Sequence, residues 1–274
     1  MTEERKPDKS AQAAATPETA LDKLWLYTNF DCNLRCSYCI TESSPEAPRR
    51  ALGMANVQHL LDEAVALRFR KVFFTGGEPF LLPELFDMLA YASARLPTTV
   101  LSNATLLRGK RLETLRTIAN GNLSVQVSLD GGCPEHNDPY RGEGTWGKAV
   151  EGMKRLQECG IRVSVSTTET PANAAHLDEL RSFVRSLGIA EEDHLVRPLT
   201  RRGFSTEGED LGRHNLIPEV TVTADGVYWH PAIAPSSGDM LVSEQILPLA
   251  DAVELIRQEL AAKDSAEAAR TKLT

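Results

Sequence analysis

Three cysteines, Cys32, Cys36 and Cys39, stand in the run Asp31-Cys32-Asn33-Leu34-Arg35-Cys36-Ser37-Tyr38-Cys39, a C-x3-C-x2-C spacing. Three thiolates so spaced can hold three irons of a 4Fe-4S cluster, whose last iron is ordinarily closed by a fourth cysteine. The two remaining cysteines, Cys133 and Cys159, are far away in the chain. One iron is therefore left open, and an open coordination position separates a reactive metal site from a structural one. The competing reading is a zinc site completed by a distant His136 or His230, but zinc hairpins favour two-residue spacings.

Such a loop needs a scaffold, and the chain supplies a rhythm of strands and helices. Apolar runs recur at Leu24–Tyr27, Val72–Thr75, Thr99–Leu101, Leu123–Leu129, Ile161–Ser166 and His194–Leu199. Between them lie helical stripes: Val57, Leu60, Leu61, Ala64 and Val65; Leu82, Leu85, Phe86, Leu89 and Ala90; Leu177, Leu180, Val184 and Leu187. Strands alternating with helices predict βα units and a parallel sheet. Each conspicuous motif follows a strand. The cysteines follow the first, Gly76-Gly77-Glu78-Pro79 the second, Ser102-Asn103 the third and Asp130-Gly131-Gly132 the fourth. Only a curled sheet gathers those strand ends at one mouth. The expected fold is therefore α/β, a partial (β/α)6 TIM-like barrel over residues 21–200, with a short C-terminal α/β extension.

The rest of the chain sets limits. Its 274 residues suit one large α/β domain with a small appendage. A net charge of -8 argues against nucleic-acid and anionic-membrane partners. No apolar run approaches a membrane span or a secretory signal, so the expected location is cytoplasmic, where clustered cysteines bind metal rather than pair. Residues 1–20, rich in Ala, Pro, Thr and charge, are expected to be disordered. Residues 201–218 are charged and contain glycine, and are expected to be a linker. Over residues 219–274, alternation around Asp225-Gly226 predicts a hairpin, and a helix is expected from Leu249 to about Ala261.

Together, Cys32–Cys39, Gly76–Pro79 and Ser128-Leu129-Asp130-Gly131 resemble the radical S-adenosylmethionine (radical SAM) superfamily over roughly residues 22–200. The resemblance implies that Cys32, Cys36 and Cys39 ligate one 4Fe-4S cluster whose open iron is chelated by S-adenosylmethionine. Reductive cleavage then yields a 5′-deoxyadenosyl radical that abstracts hydrogen from an unreactive C–H bond. It implies cofactor-binding roles for Tyr38 near the adenine, for Gly76, Gly77 and Glu78 near the methionine amine, and for Ser128 and Asn103. Relatives carry Thr-Asn-Gly where this chain has Ser102-Asn103-Ala104. Arg141, in Arg141-Gly142-Glu143-Gly144-Thr145-Trp146, matches a segment of peptide-modifying members and suggests carboxylate binding; a solvated surface arginine is the plainer reading. A low-potential electron donor, flavodoxin or ferredoxin, is implied as partner.

The run Asp225-Gly226-Val227-Tyr228-Trp229-His230-Pro231 resembles the hairpin that opens a SPASM or twitch extension. Relatives place a cysteine where this chain has His230, and no cysteine follows Cys159. An auxiliary cluster is therefore not expected. Without an electron acceptor, redox-neutral outcomes such as epimerisation, rearrangement or bond formation are favoured over dehydrogenation. Trp229 is expected to pack on the barrel edge. The thiol of Cys133, just past the fourth strand, would suit a hydrogen donor to a substrate radical, with an incidental loop cysteine as the plainer reading. No histidines form a metal pair at helical spacing. The expected substrate is a natural-product or sugar-like small molecule, or a peptide delivered by a partner. A non-catalytic iron–sulfur sensor and a zinc-binding interaction module are the alternatives from other classes.

Overall fold

The computed structural model describes residues 21–271, so the expectation for residues 1–20 lies outside the described residues. Six strands run β1 Lys23–Asn29, β2 Lys71–Gly76, β3 Thr98–Ser102, β4 Leu123–Ser128, β5 Arg162–Glu169 and β6 His194–Pro198. All neighbouring pairs among them are parallel, in sequential order. The crossovers carry α1 Met54–Ala66, α2 Leu85–Ser93, α3 Lys110–Ile118, α4 Pro134–Arg141, α5 Thr145–Glu158 and α6 Leu177–Ser186.

Strand alternation explains how the sheet has two different faces. In β4, Leu123, Val125 and Val127 are buried in the core shared with the helices, whereas Ser124, Gln126 and Ser128 are half-buried on the other face. Successive strand side chains point to opposite faces, so one strand serves both. Each buried valine contributes roughly 1.5–3 kcal/mol. The helix stripes meet the first face: α1 buries Val57, Leu60, Leu61 and Ala64, and α6 buries Leu180 and Val184. The inner face carries Trp25 stacked on Phe73 at 4.1 Å, then Thr99 bonded to Ser124 at 2.8 Å.

The C-terminal hairpin joins the same sheet. Strand β7, Val220–Thr223, pairs parallel with β1, and β8 (Gly226–Tyr228) and β9 (Leu241–Ser243) follow antiparallel. The full order is β6-β5-β4-β3-β2-β1-β7-β8-β9. Glu219 grips β1 by accepting from Lys23 Nζ at 2.7 Å and from Trp25 Nε1. Trp229 is fully buried and donates its indole N–H to the Leu216 carbonyl at 3.0 Å. It is a packing residue, as expected of an aromatic in this hairpin. Helix α7 begins at Leu249 as expected and continues to Thr271, burying Leu249, Ala252, Val253 and Ile256 on one stripe.

Between β6 and β7 the chain is irregular but not detached. The Phe204 amide donates to the Cys39 carbonyl at 3.1 Å, and Arg35 lies over the Phe204 ring at 4.5 Å. The segment thus leans on the cysteine loop. Among the described residues, no helix is long and apolar enough to cross a membrane.

Candidate active site

The cysteine loop leaves the C-terminal end of β1 and is held by its own backbone. Cys32 N–H donates to the Ser44 carbonyl and Cys39 N–H to the Cys36 carbonyl, each at 3.1 Å. Three donors point at sulfur: Leu34 N–H to Cys32 at 3.3 Å, Ser43 N–H to Cys39 at 3.4 Å, and Asn103 Nδ2 to Cys32 at 3.8 Å. Donors to sulfur stabilise thiolates and tune the potential of iron–sulfur clusters. Burial pushes the Cys32 thiol up to about 12, with the Glu78 charge acting the same way and the Leu34 N–H opposing. Burial likewise raises Cys36, against the nearby Arg141 charge. Thiols so buried need a bound cation to ionise, because coordination deprotonates them. Three soft ligands, with N–H donors on the sulfurs of Cys32 and Cys39, fit a 4Fe-4S cluster. Of the histidines a zinc site on this loop would need, His136 turns its Nδ1 to Cys133, and His230 Nδ1 accepts from the Ala232 amide at 3.0 Å.

Gly76 and Gly77 form the wall behind that loop. A Cβ on Gly76 would lie 2.3 Å from the Asn29 carbonyl, and one on Gly77 2.2 Å from the Asp31 carbonyl. Gly76 also has φ +146°, which disfavours any side chain. The amides of Gly77 and Glu78 donate to the Asn29 and Asp31 carbonyls at 3.0 Å. The two motifs therefore pack backbone to backbone.

Glu78 sits beneath them, fully buried. Its Oε1 accepts from Ser102 Oγ at 2.9 Å and from Phe80 N–H at 3.2 Å, and its Oε2 accepts from Asn103 N–H at 2.8 Å. Burial raises its pKa to about 6 although all three donors pull the other way. The carboxylate ties the end of β2 to the end of β3. Asn103 in turn bonds Asn33 inside the cysteine loop at 3.0 Å. Ala104 adopts φ +59°, the left-handed turn that a glycine favours, so the turn survives the departure from Thr-Asn-Gly with a strained alanine.

Tyr38 provides the second anchor. Its hydroxyl donates to Asp130 Oδ2 and accepts from Arg141 NH1 at 2.6 Å. Arg141 and Asp130 are also an ion pair at 3.6 Å. Asp130 is 1 % exposed and Arg141 7 %, so the surface reading of Arg141 is corrected. It is buried because α4 ends directly over the loop, where Ser37 N–H donates to the Tyr140 carbonyl at 2.9 Å. Burial and the Asp130 charge both raise the Tyr38 pKa, with Arg141 opposing. Asp130, at the end of β4, was legible only as part of a motif, and its role as the anchor of Tyr38 is seen only in three dimensions. Ser128 ends β4 on the inner face, half-buried and in register with Ser166.

Cys133 is not gathered with these groups. It precedes α4, and its sulfur lies 3.4 Å from His136 Nδ1. Cys159 caps the end of α5, partly buried against the core.

His230 is half-buried, and its pKa is lowered to about 4, chiefly by burial, with Arg197, Lys23 and Arg202 adding to this and Glu219 opposing. The folded chain therefore resists taking a proton that the unfolded chain accepts near pH 6.5. Stability is complete above that pH and falls as pH drops toward about 4. Asparagine can keep the acceptor for the Ala232 amide without the titration. Denaturant unfolding of His230→Asn should lose about 1–2 kcal/mol less than the parent between pH 7 and 5; an identical loss would show that His230 does not carry it.

Residues 26–183 match the family model described as the radical SAM superfamily. Mycofactocin maturase MftC of Mycobacterium tuberculosis is 30% identical over 173 residues, 63% of this chain and 44% of its own length. The subtilosin biosynthesis protein AlbA of Bacillus subtilis is 33% identical over 162 residues, 57% of this chain and 35% of its own. The chain thus spans less than half the length of these curated relatives. In fold it is similar to Streptococcus suis SuiB bound to S-adenosylmethionine, with TM-score 0.60 and 19% identity over 70% of this chain and 44% of that one. It is similar also to anSMEcpe bound to AdoMet and a peptide, with TM-score 0.65 and 13% identity over 86% and 81%. With more than half its residues inside the family model and its cysteine loop at the mouth of a parallel, curled sheet, the chain belongs to the radical SAM superfamily.

Proposed function

We propose that this chain is a radical SAM tailoring enzyme with a single 4Fe-4S cluster on Cys32, Cys36 and Cys39, acting on a polar substrate, a peptide first among them. The observation that carries the reading is the double anchoring of the cysteine loop. Asn103 and Glu78 hold one side, and the Tyr38–Asp130–Arg141 group holds the other. When bound, the reduced cluster supplies the electron that splits S-adenosylmethionine into methionine and a 5′-deoxyadenosyl radical.

The chain's own residues would orient and shelter that chemistry. The amides of Gly77 and Glu78 are spent on the loop, and the Glu78 carbonyl accepts from Leu81 N–H and Asn29 Nδ2 at 3.1 Å, so an ammonium group would be met by the Gly76–Gly77 carbonyls. Arg141 places a buried positive charge beside Cys36, suited to a carboxylate or to the cluster's own negative charge. The inner face beyond the loop is polar, with Ser124, Gln126, Ser128, Ser164 and Ser166 half-buried. The Gln126 Oε1 is buried with no hydrogen-bond partner, an acceptor that a substrate N–H or O–H would satisfy. MftC and AlbA, maturation and biosynthesis proteins by name, favour a peptide over a sugar-like metabolite. Flavodoxin or ferredoxin would supply the electron.

Anaerobic reconstitution tests the reading. About four irons per chain, not about eight, are expected. Dithionite and S-adenosylmethionine should release 5′-deoxyadenosine, and Cys36→Ala should abolish both release and iron retention. A colourless protein would return the zinc module. A brown protein that releases no deoxyadenosine, even with candidate precursor peptides, would return the sensor.

A further inference from the structure

Two short ligand pairs face each other where α4 and α6 begin. Cys133 and His136 are three residues apart at the start of α4, and His176 and Glu179 are three apart at the start of α6. The His136 and His176 rings stack with centroids 3.8 Å apart. One ligand atom from each of His136, His176 and Glu179 lies within 4.8 Å of the others, and the Cys133 sulfur falls outside that group. The Cys133 sulfur is 3.4 Å from His136 Nδ1, and Glu179 Oε2 is 3.2 Å from His176 Nδ1. Around a tetrahedral zinc, neighbouring N, O and S ligands sit about 3.3–3.6 Å apart. Both pairs are close to that separation already.

We propose that His136, His176 and Glu179, with the Cys133 thiol turning in beside His136 as the fourth ligand, bind a divalent transition-metal cation, best matched by zinc, at a site separate from the cluster. Buried bonds hold the pairs in place. The Asp130 amide donates to Asn137 Oδ1 at 3.0 Å, next to His136. Asn173 Nδ2 donates to the Asp130 carbonyl at 2.7 Å, three residues before His176. Both ligand-bearing segments therefore hang from one residue, and a preset spacing lowers the cost of binding. One thiolate and one carboxylate neutralise the dication, so the positive ends of two helices do not exclude it. Binding releases the thiol proton. Four protein ligands make the site closed and structural. It would fasten α4 to α6 around Asp130, the residue that holds Tyr38. A thiolate so engaged has no hydrogen atom to give, so this site and a hydrogen-donor role for Cys133 exclude each other.

The test uses the iron-loaded protein incubated with zinc sulfate and desalted, with both metals measured by plasma emission. The parent should hold about one zinc beside about four irons. His136→Ala/His176→Ala should keep its iron, which reports a folded barrel, and lose the zinc. Zinc should raise the melting temperature of the parent and not of that variant. Glu179→Gln, an exposed change, should weaken zinc binding about tenfold or more. A parent without zinc, zinc retained by the double variant, or unchanged affinity in Glu179→Gln would overturn the proposal.

Discussion

Asp130→Ala should cost about 3–5 kcal/mol of stability and strip the iron from the protein. The substitution leaves the Arg141 guanidinium buried with only the Tyr38 hydroxyl, which itself loses its acceptor. The Thr168 amide, which donates to Asp130 Oδ1 at 2.9 Å, is orphaned as well. The large figure follows from removing one partner of a buried pair, not from the net worth of the pair, which desolvation offsets. Tyr38→Phe is the contrasting variant. It removes one hydroxyl and leaves Asp130 and Arg141 at 3.6 Å, free to close on each other, so about 1 kcal/mol is expected. Anaerobic urea unfolding with iron determination separates the two. An Asp130→Ala protein that unfolds like Tyr38→Phe and keeps its iron would show that the network does not hold the loop.

Glu78→Ala is expected to be comparably severe, about 3 kcal/mol, since Ser102, Asn103 and Phe80 all lose a buried acceptor at about 1 kcal/mol or more each. Asn103 also donates toward Cys32, so cluster binding should weaken with it. Glu78→Gln separates geometry from charge. In the parent, the folded chain keeps a proton on Glu78 that the unfolded chain has lost, between the ordinary value of 4.5 and about 6. Its contribution to stability therefore declines as pH rises through that window and is flat above it. The glutamine variant should lack that slope while its amide N–H opposes one of the three donors. Equal pH slopes in parent and variant would remove Glu78 as the titrating group. The sign is opposite to that of His230, whose contribution falls on acidification.

The strands were legible because both periods were clean: β4 alternates Leu-Ser-Val-Gln-Val-Ser, and α1 repeats its apolar residues at helical spacing. Helix α5 buries Ala149, Val150, Met153 and Leu156, but Gly144 and Gly147 around its first turn leave its start less marked in the sequence than its end at Cys159-Gly160. Helix α4 has eight residues and contains Pro139, too short and too polar for a stripe to stand out. The cysteine loop announced itself because its ligands are adjacent in sequence. The partners that position it are not: Tyr38 meets Asp130 across 92 residues, and Asn103 meets Cys32 across 71. His136 and His176 are 40 positions apart and belong to different helices, so histidine spacing within one helix could not show them together.

The place of β7 has a further consequence. By occupying the free edge of β1, it denies that edge to β6, and the strand order is a line whose ends are β6 and β9. A cylinder closed on itself fills its own interior with side chains. A sheet kept from closing has a flank as well as a rim, so the peptide proposed as substrate would meet an open side and not only a mouth.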